Sequence, residues 1–492
     1  MSLINISNLT FAYDGSYDNI FENVSFQIDT NWRLGFTGRN GRGKTTFLNL
    51  LLGKYKYSGI ISGNVDFLYF PFDIAGKGQL TLDVTNSINP DFEIWQLERE
   101  LSLLDVDTDI LYRTFGSLSN GEQTKVLLAV LFLQDNGYLL IDEPANHLDV
   151  SARQTVSKYI RSKKSFILVS HDRAFLDASV DHILSINKTN IEVQKGNFSS
   201  WLENKEKQDN FEIAKNEKLE KDIGRLKSSA KRISDWSDSL EDTKYGTKNS
   251  GLRPNRGYIG HKSAKMMGRA KSIEKKRNTL IEEKSRLLKN IEEAAELKIH
   301  PLVYYKRRLA TFEDVSVFYD KKQACGKISF TIEQGDRIAL CGKNGSGKSS
   351  IIKLIRGEDI SYTGNIQKGS DLIISYVSQD TSYLQGNLSE FAQINDIDES
   401  LFKAILRKLD FSRVQFEKDI SNFSAGQKKK VLVAKSLCEK AHLYIWDEPL
   451  NFIDVLSRIQ IEKLLLQYKP AMVFVEHDKT FTDVIASKKV EL

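Results

Sequence analysis

Gly38, Gly43, Lys44 and Thr45 stand at the spacing GxxxxGK[ST], and Gly342, Gly347, Lys348 and Ser349 repeat it 304 residues later. That pattern suits a triphosphate. Glycines let backbone N–H groups point inward around phosphate oxygens at a helix N-terminus. The lysine reaches the β- and γ-phosphates, and the hydroxyl ligates magnesium. Asn40, Gly41 and Thr46 belong to the first such cradle, and Asn344, Gly345 and Ser350 to the second. One match in a chain of this length arises by chance on the order of 1 % of the time. Two matches, each upstream of Asp-Glu-Pro by a matching distance, do not.

Asp142 and Asp447 end apolar runs, where a carboxylate can hold the magnesium shell. Glu143 and Glu448 follow directly and are placed to position or deprotonate an attacking water. His171 and His477 each follow another apolar run. A lone histidine there is usually structural. Two in register with two phosphate loops favour a γ-phosphate contact.

These residues need elements to carry them, and the chain supplies the elements twice. LSNGE and FSAGQ lie 305 residues apart, the Asp142 and Asp447 blocks 305, and the His171 and His477 blocks 306. Four blocks in one order mark a duplicated domain. Within each copy, short apolar runs such as Gly137–Ile141 and Phe166–Val169 read as buried parallel strands between helical patterns. The fold class is α/β with a largely parallel sheet, whose ligands bind at the carboxyl ends of the strands. The copies occupy residues 1–200 and 301–492, and only fifteen residues follow His477.

Residues 201–300 have no second counterpart. Leu219, Ile223, Leu226, Ala230, Ile233 and, after Ser237, Leu240 step by four and three, and Ile273, Leu280, Leu287 and Ala294 step by seven. Both are heptad seams. Between them Tyr245 to Gly260 holds four glycines and Pro254, which predicts a non-helical tip. The result is an antiparallel helical hairpin, about 60 Å long for forty residues per arm.

Composition narrows the function further. The chain has 492 residues, 40% of them hydrophobic, enough for real cores. Its three cysteines, Cys325, Cys341 and Cys438, form no CxxC pair, which argues against a disulfide framework or zinc finger and fits a reducing cytosol. The start shows no signal-peptide pattern. The longest apolar run, Val126 to Leu133, is eight residues, against roughly 20 for a membrane span. The formal charge is +5, yet Lys244 to Arg277 holds eleven Lys or Arg and one acidic residue, a local net of +10. Such a segment is either a polyanion contact or a solvated basic loop.

LSNGE and FSAGQ resemble the signature of ATP-binding cassettes, and NHLD after Ala145 resembles that family's D-loop. The resemblance covers both copies. It implies a head-to-tail sandwich within one monomer, with ATP and Mg2+ as cofactors. Walker residues of the first copy would share one ATP with Ser424, Gly426 and Gln427. Those of the second would share the other with Ser119, Gly121 and Glu122. Tyr13 and Tyr319 resemble the aromatic that stacks on adenine. Gln379 in YVSQD matches the family's magnesium-side glutamine, whereas the first copy has Phe72 there. The first site is therefore expected to hydrolyse more slowly.

Two cassettes around a hairpin are similar to the ABC-F family, which acts on ribosomes. Only 72 residues separate Lys44 from Ser117, too few for the extra arm that housekeeping members carry. The tip, near 244–265, is similar to that of Lsa-type antibiotic-resistance proteins. That resemblance implies a cytoplasmic, ribosome-associated protein that meets large-subunit rRNA and P-site tRNA from the E site. It would dislodge lincosamides, streptogramin A compounds and pleuromutilins. Lys244, Arg253, Arg256, Lys262 and Lys265 would meet phosphates, and Tyr258 would lie nearest the drug site. The rival readings are a housekeeping ABC-F translation factor, the ATPase subunit of a transporter, and a DNA-maintenance ATPase of SMC type.

Overall fold

A computed structural model describes residues 3–13, 19–74, 76–134, 137–146, 148–187, 190–242, 255–287, 297–319, 322–343 and 345–492. Each copy is built on a parallel sheet. In the first copy the strand order is Asp66–Phe70, Gly137–Asp142, Phe166–Val169, Arg33–Gly38, His182–Ile186, Ile191–Lys195. All neighbours are parallel except the last pair. In the second it is Ile374–Val377, Leu443–Asp447, Met472–Val475, Arg337–Cys341, Lys488–Glu491, parallel throughout. Among the described residues the antiparallel edge strand of the first copy has no counterpart in the second.

A three-stranded antiparallel sheet completes each copy. Leu3–Phe11 pairs with Phe21–Asp29 and Ser58–Ser62, and Arg308–Tyr319 pairs with Lys322–Glu333 and Tyr362–Lys368. Between the two sheets of the first copy, Phe36, Phe47 and Tyr138 are fully or almost fully buried. In the second copy Trp446 is wholly enclosed, and its Nε1 donates to Ser436 Oγ at 2.9 Å. Strand register sets the chemistry: Asp142 pairs with Val169 and Asp447 with Val475. Each acidic pair therefore sits one strand from its histidine, at the carboxyl edge.

Phosphate-loop helices start where glycine permits. Gly43 and Gly347 both have φ of 93° and precede the helices Lys44–Leu51 and Lys348–Arg356. A Cβ on Gly43 would lie 2.5 Å from Ile20, and one on Gly347 2.7 Å from the Ala324 carbonyl. No other residue fits either turn without displacement.

A separate unit spans Ser200–Glu293. Helix Phe198–Asp242 runs 45 residues and helix Arg256–Leu287 runs 32. Leu219, Ala230, Ser237, Ser263 and Ala270 are buried, so the seam is lined by small residues in its Ala230–Ala270 stretch. The non-helical tip ends earlier than expected: Gly257, Tyr258 and Gly260 are already helical. Asn255 is the reason. Its Oδ1 accepts the Tyr258 backbone N–H at 3.2 Å, an N-cap that offsets the roughly 1 kcal/mol a helical glycine costs. Lys244, Arg253, Ala294, Asn344 and the side chains of Leu240, Arg256 and Leu287 lie outside the described set.

Candidate active site

Two clefts run between the copies. The first has a volume of about 800 Å³ and is lined by Asn40, Gly41, Lys44, Thr45, Asp142, Glu143 and His171 on one side and Ser424 and Gly426 on the other. The second, about 1240 Å³, joins Lys348, Ser349, Gln379, Glu448 and His477 to Ser119, Gly121 and Glu122. Tyr13 lines the first and Tyr319 the second. The two residues are 42% and 44% exposed, open to a stacking base. Tyr13 Oη also meets Thr46 Oγ1 at 2.8 Å.

The phosphate-loop lysines are folded back over their own loops. Lys44 Nζ donates to the carbonyls of Gly38 at 2.6 Å and Arg39 at 3.2 Å. Lys348 Nζ donates to those of Gly342 at 2.9 Å and Lys343 at 2.8 Å. Burial lowers the affinity of both ammonium groups for their proton, and nearby carboxylates oppose that shift. For Lys44 the first of these carboxylates is Asp454 of the second copy.

Glu143 and Glu448 have φ of 53° and 48°, left-handed in both copies. Non-glycine residues held there mark a backbone shaped for function. Their electrostatics diverge. Burial, followed by the neighbouring Asp142, pushes the Glu143 carboxyl up to about 8. Its Oε1 lies 3.3 Å from His171 Nε2 without hydrogen-bond geometry. Glu448 is buried too, but His477, Lys429 and Gln379 outweigh desolvation and hold it below the usual glutamate range. His477 Nε2 lies 3.1 Å from Glu448 Oε1, and Gln379 Nε2 donates to Oε2 at 2.9 Å. His171 is driven well below the usual histidine range, first by burial and then by Lys44.

Phe72 cannot supply the link that Gln379 makes. It packs edge-on against Phe70, centroids 6.4 Å apart. Tyr69, three residues earlier, instead donates its hydroxyl to Asp142 Oδ2 at 3.2 Å, beside Thr45 Oγ1, also at 3.2 Å. Neither Tyr69 nor its contact is visible in the motifs; only alignment of YFPF with YVSQ points to it.

A magnesium ion fits these residues. Asp447 Oδ1 is buried without a hydrogen-bond partner, and the Ser349 hydroxyl is bonded to the same carboxylate. Among the described residues no three His, Cys, Asp or Glu side chains gather as a metal site. That arrangement suits an ion whose shell is completed by substrate phosphates.

The signature residues cap helices. Ser119 and Glu122 form a capping box on Asn120–Phe132, and Ser424 and Gln427 on Ala425–Cys438. Hydrogen bonding by the Ser119 hydroxyl keeps the Glu122 carboxylate below the usual range. The second cleft therefore carries an anion at this position, whereas the neutral Gln427 of the other cap is not among the residues lining the first cleft. Among the described residues, three polar contacts join the copies. Asn40 Nδ2 donates to the Phe452 carbonyl at 2.7 Å, Arg42 pairs with Asp410 at 3.5 Å, and Arg173 pairs with Glu462.

Paired phosphate loops, each closed by the other copy's capped helix, define a P-loop protein with two head-to-tail nucleotide clefts. The family model described as ABC transporter matches residues 21–146 and again 325–451. The chain therefore belongs to the ABC transporter family, and it is an ATPase with two cassettes in tandem. It is 26% identical to ribosome protection protein VmlR of Bacillus subtilis (strain 168), over 99% of this chain and 86% of that one. It is 25% identical to ABC transporter F family member 2 of Arabidopsis thaliana, over 99% of this chain and 76% of that one. The fold matches that of the archaeal ribosome recycling factor aABCE1 in its complex with ribosomal stalk protein aP1, with a TM-score of 0.61, 17% identity and coverage of 96% and 84%. Among the described residues no helix is long and apolar enough to cross a membrane.

Proposed function

We propose that the chain is an ABC-F ATPase that binds the ribosome and protects it against antibiotics acting at the peptidyl transferase centre. The observation that carries this reading is the hairpin between the two cassettes, with its +10 segment from Lys244 to Arg277. Lys262 and Lys265 are exposed on helix Arg256–Leu287, and Tyr258 is 65% exposed in its first turn. Cations beside an open ring suit phosphates and an unstacked base of structured RNA. A ribosome protection protein among the full-length relatives supports the same reading. Lincosamides, streptogramin A compounds and pleuromutilins are the expected drugs.

ATP supplies the drive. In the second cleft Glu448 accepts the proton of the attacking water. The water oxygen bonds to the γ-phosphorus, and the bond to the bridging oxygen breaks to release ADP. His477 and Gln379 hold Glu448 in place. Thr45 with Asp142, and Ser349 with Asp447, would hold magnesium, which neutralises phosphate charge when bound. Lys44 and Lys348 release their loop carbonyls to meet phosphate. The test is drug susceptibility of cells expressing the chain or Tyr258→Ala. Protection should fall in the variant while hydrolysis stays near wild type. Equal protection by Tyr258→Ala and by a deletion of residues 247–260 would remove the tip from the function.

A further inference from the structure

Lys429 is a buried lysine whose hydrogen bonds the hydrolysis described above does not use. It lies on helix Ala425–Cys438, 2% exposed. Its Nζ donates to the Ser378 carbonyl at 2.8 Å and to the Asp447 carbonyl at 3.3 Å. Ser378 directly precedes Gln379, and Asp447 directly precedes Glu448. One ammonium thus fixes the backbone beneath both groups that meet at 2.9 Å in the second cleft. Ammonium-to-carbonyl bonds are charge-assisted, so each is stronger than a neutral contact.

The same helix reaches the other cleft. Its cap Ser424 and its residue Gly426 line the first cleft. A Cβ on Gly426 would lie 2.3 Å from the Phe452 carbonyl and 2.9 Å from Asn40 Nδ2 of the first phosphate loop. Lys429 follows Ser424 by five residues on one continuous helix, so a shift at the cap is carried to the ammonium. Among the described residues, the other cassette has no such lysine link. Alignment at the 305-residue offset places Thr124 there, and its hydroxyl bonds the Asn120 carbonyl of its own helix at 2.8 Å.

We propose that Lys429 is a positioning residue that couples the two ATP sites in one direction. Closure of the first cleft on ATP acts through helix Ala425–Cys438 to align Gln379 and Glu448 for hydrolysis in the second. The proposal rests on the assignment of Glu448 and Gln379 to the second site and is independent of the ribosomal reading.

The experiment uses the full chain carrying Glu143→Gln, so that steady-state turnover reports the second cleft. Lys429→Met should lower kcat by about tenfold or more, with KM for ATP changed by less than about threefold, and Lys429→Arg should restore much of the loss. Ser424→Ala should lower second-site kcat by about fivefold with Lys429 intact, and by less than about twofold when combined with Lys429→Met. Additive effects in that cycle overturn the coupling. Unchanged kcat in Lys429→Met overturns the positioning role, and Lys429→Gln reads the same point if the methionine variant does not fold. A separate control adds Glu448→Gln to the same background. Turnover that survives it refutes the site assignment itself, whereas turnover lost there but kept in Lys429→Met refutes only the role of Lys429.

Discussion

At the scale of residues, Glu143 and Glu448 hold the same backbone position in opposite electrostatic surroundings. A carboxyl pushed up to about 8 is mostly protonated at neutral pH and must ionise before it can take a proton. Glu448, held below the usual range, is already ionised, and His477 and Gln379 each hold one of its oxygens. Glu448→Gln should therefore cost roughly tenfold more steady-state hydrolysis than Glu143→Gln. Phosphate release from the two purified single variants checks the order, and equal losses would refute it. Gly426→Ala should hold the first cleft open, because its Cβ would lie 2.9 Å from Asn40 Nδ2 across the cleft and 2.3 Å from the Phe452 carbonyl of its own cassette. Overpacking of this kind costs about 1–3 kcal/mol, so ATP affinity at the first site should fall about tenfold or more in a nucleotide titration. Much of each cleft is legible in the sequence. Lys44, Asp142, Glu143 and His171 carry their chemistry in their type and repeat at a fixed offset. Lys429, Tyr69 and Phe452 are silent there. Two act through backbone carbonyls, which any residue offers, and Tyr69 reaches an aspartate 73 positions away.

At the scale of elements, the alternation of apolar runs and helical patterns was enough to foresee both parallel sheets. The heptads likewise foreshadow the hairpin helices, but not where the second begins. That start depends on one asparagine side chain and a backbone N–H, a contact that glycine content conceals. Inside the hairpin, Ser237 Oγ and Ser263 Oγ meet at 2.9 Å with both residues buried. Ser237→Ala should destabilise the hairpin by about 1 kcal/mol. The double variant with Ser263→Ala should cost less than the sum of the two singles. Thermal unfolding of the three variants measures this, and simple additivity would show that the pair does not interact. The basic segment makes a different prediction. Neutralising Arg253, Arg256, Lys262 and Lys265 together should flatten the salt dependence of RNA binding. An unchanged slope would assign the contact to the cassettes.

Across the whole molecule, the two clefts differ in the groups they bring to hydrolysis. The first holds Glu143, pushed up to about 8, and its cassette has Phe72 where the other has Gln379. The wider second cleft carries Gln379 and the ionised Glu448. This division suits a first site that retains ATP and a second that turns it over. Glu143→Gln/Glu448→Gln with ATP removes both bases at once and so holds the closed form in which the proposed protein would engage the ribosome. The most direct measurement is co-sedimentation of this double variant with purified ribosomes in ATP at low salt. The double variant should pellet stably with ribosomes and be released as salt rises. A double variant that binds ATP without hydrolysing it, yet stays in the supernatant at every salt concentration, would contradict the ribosomal function.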